Sequence, residues 1–205
     1  MGRNELKDVE AALTHDLNNT LQVIMGNLEV LRRRATFAPE LVDAALNATR
    51  AAAHLADRLA AVTRLRQSKP RRLDLNAALT DLSDMLRHTL GDAIHLELEL
   101  APAAGGVMID SACLQTALLE LAANARNAMP GGGRVVVRSA AGRVDITDTG
   151  PGIPADKVAG AFQALKPGAL GLHIVARCIS ASGGRVEISS ASPRGTTVTL
   201  HLTTP

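Results

Sequence analysis

The chain has 205 residues, a formal net charge of +2 and 46% hydrophobic residues, which suits one large domain or two small ones with a buried core. It has no Trp or Tyr and only two Phe, Phe37 and Phe162, so its core must be built of Leu, Val, Ile and Ala. Near-neutral charge gives no footing for a nucleic-acid or membrane-surface partner, and bases would find almost no aromatic rings to stack on.

From Glu5 to Arg34 the chain reads as one helix, with no Pro and only Gly26 lowering its propensity. Leu17, Ile24 and Leu31 repeat every seven residues, as do Leu21 and Leu28. Arg32, Arg33 and Arg34 suit the negative end of the helix dipole. After a short connection, Pro39 is placed as a first helical residue, and a second helix is expected from Pro39 to Gln67. Its residues Leu41, Ala45, Ala48, Ala52, Leu55, Leu59 and Val62 step by four and three, a coiled-coil seam. Two long helices with a short join predict an antiparallel hairpin over residues 1–69. One hairpin has little to cover such a seam, so a homodimer forming a four-helix bundle is expected.

Residues 70–205 change character. Ser68-Lys69-Pro70-Arg71-Arg72 reads as a linker, and Asn76 as the cap of a helix ending near Gly91. Ile94–Leu100 alternates strictly, as a half-buried strand does. Val107–Asp110 reads as a short strand, and Ser111 as the cap of a helix reaching Met129. Strands are expected at Arg134–Arg138 and Arg143–Asp148. Beyond a Gly- and Pro-rich loop come a helix over Ala169–Ser182 and strands at Arg185–Ser189 and Thr196–Leu202. The fold class is therefore α+β: a helical hairpin followed by an α/β sandwich with helices on one face of a mixed sheet.

Cys113 and Cys178 are too few for a disulfide framework or a cysteine-rich zinc site. Two free thiols fit a reducing compartment, and a cytoplasmic location is expected. No apolar run reaches the roughly 20 residues of a membrane span, and Met1–Glu5 starts no signal segment. A membrane-bound parent stays open if the chain is a fragment.

Three constellations carry chemistry. His15 lies two residues from both Leu13 and Leu17, which turns it about 200° from the seam toward solvent. Asp16 is adjacent, and Asn19 lies one turn above on the same face. An exposed neutral imidazole is a nucleophile, a neighbouring carboxylate can orient the ring and take its proton, and an amide can position phosphate or water. His54, His88, His95, His173 and His201 lack these neighbours and read as structural or solvated.

On the Ser111–Met129 helix, Glu120, Asn124 and Asn127 share a polar face. A side-chain amide suits a magnesium ion already holding nucleotide phosphates, and Glu120 is placed as a base or outer ligand. Third, Asp148-Thr149-Gly150-Pro151-Gly152 follows a strand. Its Asp can accept from an exocyclic amine such as that of adenine, and Gly150 and Gly152 let backbone approach a flat base. Gly168-Ala169-Leu170-Gly171-Leu172 opens a helix whose N-terminus suits an anion, and a threonine hydroxyl of Gly195-Thr196-Thr197, before the last strand, is placed to reach the base.

These residues resemble the sensor histidine kinases of two-component signalling. Leu13–Asn19 is similar to the phosphoacceptor box, Glu120–Ala128 to the asparagine box, Asp148–Gly152 to the first glycine box, and the stretch around Gly171 to the second. The resemblance implies a dimerisation and phosphotransfer hairpin followed by a Bergerat-type ATP-binding domain. His15, Asp16, Asn19 and Glu120 are then the catalytic candidates. Asn127, Asp148, Gly150, Gly152, Lys166, Gly168, Gly171, Leu172 and Thr197 are candidates for holding ATP, and Asn124 for both ATP and Mg2+. A response-regulator receiver domain is the implied partner, with a sensor domain or protein upstream. The chain departs from the family in the second glycine box, where Pro167-Gly168-Ala169-Leu170-Gly171-Leu172 lacks two of the usual glycines. Between Gly152 and Gly171 only Phe162 and Lys166 stand for the aromatic and basic parts of a nucleotide lid. Weak ATP affinity is the expectation from both departures. An ATP-independent histidine phosphotransfer protein, and an ATPase-fold serine kinase or binding module, remain alternatives.

Overall fold

The computed structural model describes residues 3–33, 38–65, 69–102, 104–154, 158 and 170–205. The chain divides into two compact units, Met1–Arg64 and Leu65–Pro205.

The first unit holds helices α1 (Arg3–Arg33) and α2 (Pro39–Leu65). Leu13 is fully buried, as nearly are Ala45 and Ala52, two seam residues seven apart. The larger heptad residues behave differently: Leu21 and Leu28 are 44% and 52% exposed.

The second unit is built from β1 (Arg71–Asp74), α3 (Leu75–Asp81), α4 (Ser83–Leu90), β2 (Ile94–Leu100), β3 (Gly106–Ile109), α5 (Ser111–Ala128), β4 (Gly133–Ala140), β5 (Arg143–Asp148), α6 (Leu170–Ser180), β6 (Arg185–Ser190) and β7 (Thr196–His201). Its main sheet has the order β2-β4-β5-β7-β6. The β2–β4 pair is parallel and the others are antiparallel, which is the expected mixed sheet. Period-two alternation sends Leu96, Val135, Val137, Val144, Ile146, Val198 and Leu200 into the core. Leu114, Leu118 and Leu121 of α5 and Ile174, Cys178 and Ile179 of α6 complete that core. The outer face carries charge: Arg138 donates two hydrogen bonds to Glu99 at 2.5 and 2.8 Å, and Arg143 pairs with Asp145 at 2.7 Å.

Three local expectations need correction. Arg71 and Arg72, read as linker, begin β1, which pairs antiparallel with β3 (Arg71 opposite Ile109, Leu73 opposite Val107); that distant partner outweighs the local charge run. The cap of the next helix is Asp74, accepting from the Ala77 amide at 3.0 Å, and the helix breaks at Leu82 into α3 and α4. Asn76 instead donates to the Ala101 carbonyl at 2.8 Å and accepts from the Ser139 hydroxyl at 2.7 Å. Ser111 is likewise displaced as a cap by Asp110, which accepts from the Ala112 and Cys113 amides. A carboxylate one residue earlier satisfies the open amide groups of the first turn.

Candidate functional site

His15 stands on the outward face of α1, its side chain 74% exposed. Asp16 Oδ1 lies 3.5 Å from the ring Nδ1, and the Asn19 amide nitrogen lies 3.2 Å from the same Nδ1. The two partners demand opposite tautomers. A proton on Nδ1 donated to Asp16 leaves a lone pair on Nε2. Donation by Asn19 to Nδ1 puts the proton on Nε2 instead. Both contacts therefore leave Nε2 as the open nitrogen, and the Asp16 arrangement makes it nucleophilic. Of the other histidines, His88 and His95 are exposed, His173 is buried in α6, and His201 lies 3.1 Å from Glu187. The side chain of His54 lies outside the described residues.

In the second unit a cavity of about 220 Å3 lies between α5, α6 and the ends of β5, β6 and β7. Leu121, Ala125 and Ala128 of α5, Ile146, Ile153, Leu172, Ile188 and Val198 give it aliphatic walls. Asn124, Asp148 and Thr196 bring its polar groups. That volume is below the roughly 300–1,000 Å3 of drug-sized ligand pockets, so these walls suit a base rather than a whole nucleotide.

Asp148 ends β5. Its Oδ1 accepts from the Gly150 amide at 2.9 Å and from the Thr196 amide at 3.2 Å. Both backbone donors take the same oxygen, which leaves Oδ2 to meet a ligand. Burial raises the carboxyl above its ordinary 3.8, and the two amide hydrogen bonds pull the other way. Gly150 serves this arrangement from outside the cavity lining: a Cβ there would sit 2.9 Å from Asp148 Oδ1 and 3.2 Å from Met129 Cγ. Gly152 lines the cavity with φ +73°, and a Cβ would press on the Ala191 carbonyl oxygen at 2.9 Å.

The row on α5 separates by burial. Glu120 is 3% exposed and turned inward, Asn124 reaches the cavity wall, and Asn127 is exposed and off the lining. The Asn124 amide nitrogen is buried with no hydrogen-bond partner among the described residues. A buried unpaired amide is costly, and a ligand oxygen in the cavity would relieve it. Exchange of its nitrogen and oxygen by a flip would instead present an oxygen to a cation. Among the described residues no group of three or more His, Cys, Asp or Glu could hold a metal. A divalent ion here would depend on nucleotide phosphates for most of its ligands, as magnesium commonly does.

Gly171 is buried in α6, with Leu172 on the cavity wall. Lys166 and Gly168 lie outside the described residues. Thr197 is not brought to the cavity. Its hydroxyl lies 3.0 Å from that of Thr147 on the outer face, because β7 alternates and it is Thr196 and Val198 that face inward. The sequence points to the Thr196-Thr197 pair but not to which of the two faces the cavity, and it gives no sign of Ile153 or Ile188. The inward register of Ile146, paired with Val198, is the signal that would have found Thr196 two pairs further along, opposite Asp148.

These features are those of a known ATPase fold. Residues 109–205 match the family described as histidine kinase-, DNA gyrase B- and HSP90-like ATPase. Across nearly its whole length the chain resembles sensor histidine kinases. It is 30% identical over 220 residues to the sensor kinase CckA of Brucella abortus, covering 93% of this chain and 23% of that protein. It is 30% identical over 216 residues to the sensor histidine kinase ZraS of Escherichia coli strain K12, covering 96% of this chain and 45% of that one. The chain thus spans less than half the length of either relative. In fold it is similar to the histidine kinase ThkA, solved in complex with the response regulator TrrA, at a TM-score of 0.73 and 19% identity over 98% of this chain and 62% of that one.

Proposed function

We propose that this chain is the ATP-dependent kinase core of a two-component sensor, residues 1–69 accepting the phosphoryl group and residues 70–205 binding ATP. The observation that carries the reading is the Asp148 carboxylate. It is set in an aliphatic cavity of an ATPase fold, with Oδ1 fixed by two backbone amides, in the same chain as an exposed histidine tethered at Nδ1. Asp148 Oδ2 accepts the adenine amine, and the aliphatic walls enclose the ring. Asn124 would hold magnesium, which supplies charge neutralisation on the phosphates. The Nε2 lone pair of His15 attacks the γ-phosphorus, the bond to the bridging oxygen of ADP breaks, and the Nδ1 proton passes to Asp16. Catalysis here is mainly positioning and charge neutralisation.

The phosphoryl group then passes to an aspartate of a response regulator; the complex of ThkA with TrrA supports a partner of that kind. Asn19 places the water for the reverse dephosphorylation. The chain acts as a homodimer whose helices pair as hairpins and bury Leu21 and Leu28 in a four-helix bundle. Upstream stands a sensor domain or protein, and the core works in the cytoplasm. Incubation with γ-labelled ATP and magnesium tests the reading: the label should be acid-labile and alkali-stable, as a phosphoramidate is, and should map to His15.

A second reading keeps the fold without the chemistry: a dimeric histidine phosphotransfer protein that receives its phosphoryl group from elsewhere. The lost second-box glycines favour it. It predicts no saturable ATP binding at millimolar nucleotide.

A further inference from the structure

Ser190 ends β6 on the inward side of the sheet, next to the cavity but not among its lining residues. Its hydroxyl meets three groups at once. It accepts from the Ile153 amide at 2.7 Å, donates to the Gly195 carbonyl at 3.0 Å, and lies 3.0 Å from the Thr196 hydroxyl. A serine hydroxyl has one proton and two acceptor lone pairs. With the proton committed to Gly195 and one lone pair to Ile153, the remaining lone pair can only receive the Thr196 proton. Thr196, which lines the cavity, then has nothing but lone pairs to offer a ligand. The Asp148 carboxylate beside it is an acceptor as well.

We infer that Ser190 is a positioning residue for base specificity: it holds the Thr196 proton on its own side, away from the cavity, so that Thr196 and Asp148 present only acceptors at their end of the cavity and select a base bearing an exocyclic amine over one bearing a carbonyl. The close packing of the two loops supports a fixed geometry. Gly152 rests against the Ala191 carbonyl, and a Cβ on Gly195 would run into the Asp148 carbonyl. The loops therefore meet backbone to backbone, and Ser190 joins them by its hydroxyl. The inference rests on the adenine reading of the cavity.

The test compares ATP with inosine triphosphate, whose base carries a carbonyl where adenine carries the amine. Dissociation constants are measured by calorimetry with magnesium on the whole chain. In the unmodified protein ATP should bind at least tenfold more tightly than inosine triphosphate. In Ser190→Ala the freed Thr196 hydroxyl can donate to the carbonyl, and the preference should shrink to about threefold or less. Ser190→Thr should restore it, and the Ile153 amide should exchange with deuterium faster in the Ala variant alone. A merely structural serine would weaken both nucleotides equally. An unchanged ATP-to-inosine ratio in Ser190→Ala, at whatever affinity, overturns the inference. If the Ala variant does not fold, Ser190→Cys keeps the bulk, weakens the hydrogen bonds and reads the same ratio. Failure of the unmodified chain to bind either nucleotide overturns the adenine reading itself, and this inference with it.

Discussion

The two units bury their apolar residues very differently. In Leu65–Pro205 the strands and helices enclose one core, and Met85 is the one large hydrophobic residue among those described that stays prominently exposed, at 43%. In Met1–Arg64, Leu21, Val23, Met25, Leu28, Val30 and Leu46 are all 43–69% exposed. A sheet covered by helices closes on itself within one chain, whereas two helices expose most of their perimeter. The chemistry divides the same way. The second unit offers a cavity with a carboxyl raised by burial, and the first an exposed imidazole with polar neighbours. That contrast is what the proposed roles require, since an acceptor that meets a partner protein has to be open and a base-binding site has to be dry.

That division predicts separable losses. The largest is at His15. His15→Gln should abolish the acid-labile label, while ATP affinity, measured by calorimetry, stays that of the unmodified chain. A label of full strength on that variant would sink the assignment of the acceptor. Next in size is the bundle. Leu28→Asp should cost about 2–5 kcal/mol per protomer, the scale of losing a buried leucine, and light scattering should show the mass of one chain. The second unit should still melt normally, since Leu28 is no part of its core. A monomeric unmodified protein would contradict the bundle outright.

Asp148→Asn comes third. A hydrogen bond to a charged group is worth about 1.5–3 kcal/mol, or about ten- to a hundredfold in ATP affinity. Asn124→Ala should leave affinity for the base nearly unchanged and slow magnesium-dependent phosphoryl transfer, so the two variants separate base recognition from metal use. Equal loss of base affinity in both would show that the cavity does not divide the tasks as argued.

The pH dependence follows with a defined sign. Burial raises the Asp148 carboxyl, and the adenine amine binds its ionised form. ATP affinity should therefore be full above the raised value and fall as pH drops through it, at a higher pH than an ordinary aspartate would show. The same shift opposes folding once ionised: its cost to stability is absent below the unfolded value of 3.8 and complete above the folded one. Smallest is the effect of the outer face. Arg138 holds Glu99 below its ordinary 4.5, and His201 and Arg185 do the same for Glu187. Their contribution is present above 4.5 and lost as pH falls through the lowered values, and being exposed it should be slight. Melting curves of Glu99→Gln against the unmodified chain at pH 7 and pH 4 check this: the difference should shrink on acidification.

What the sequence by itself determined is what repeats or clusters along the chain. The heptad leucines placed α1, the alternation of Ile94–Leu100 placed β2, and helical spacing brought His15, Asp16 and Asn19 together within one turn. Asn124 and Asp148 were legible for the same reason, each on an element with clear periodicity. Only the tertiary structure decided the rest. Arg71 and Arg72 became a strand because β3 lies opposite them. Asn76 gave up its cap role to reach Ala101 and Ser139, and Asp74 and Asp110 took the caps. Thr196 replaced Thr197 at the cavity because a one-residue step reverses the face of a strand. Ser190 gained its place through partners on a loop and a turn that meet only when β5, β6 and β7 pair. Local periodicity sets which face a residue occupies within its own element, but a hydrogen bond between distant segments depends on register, and register is fixed only when the sheet closes.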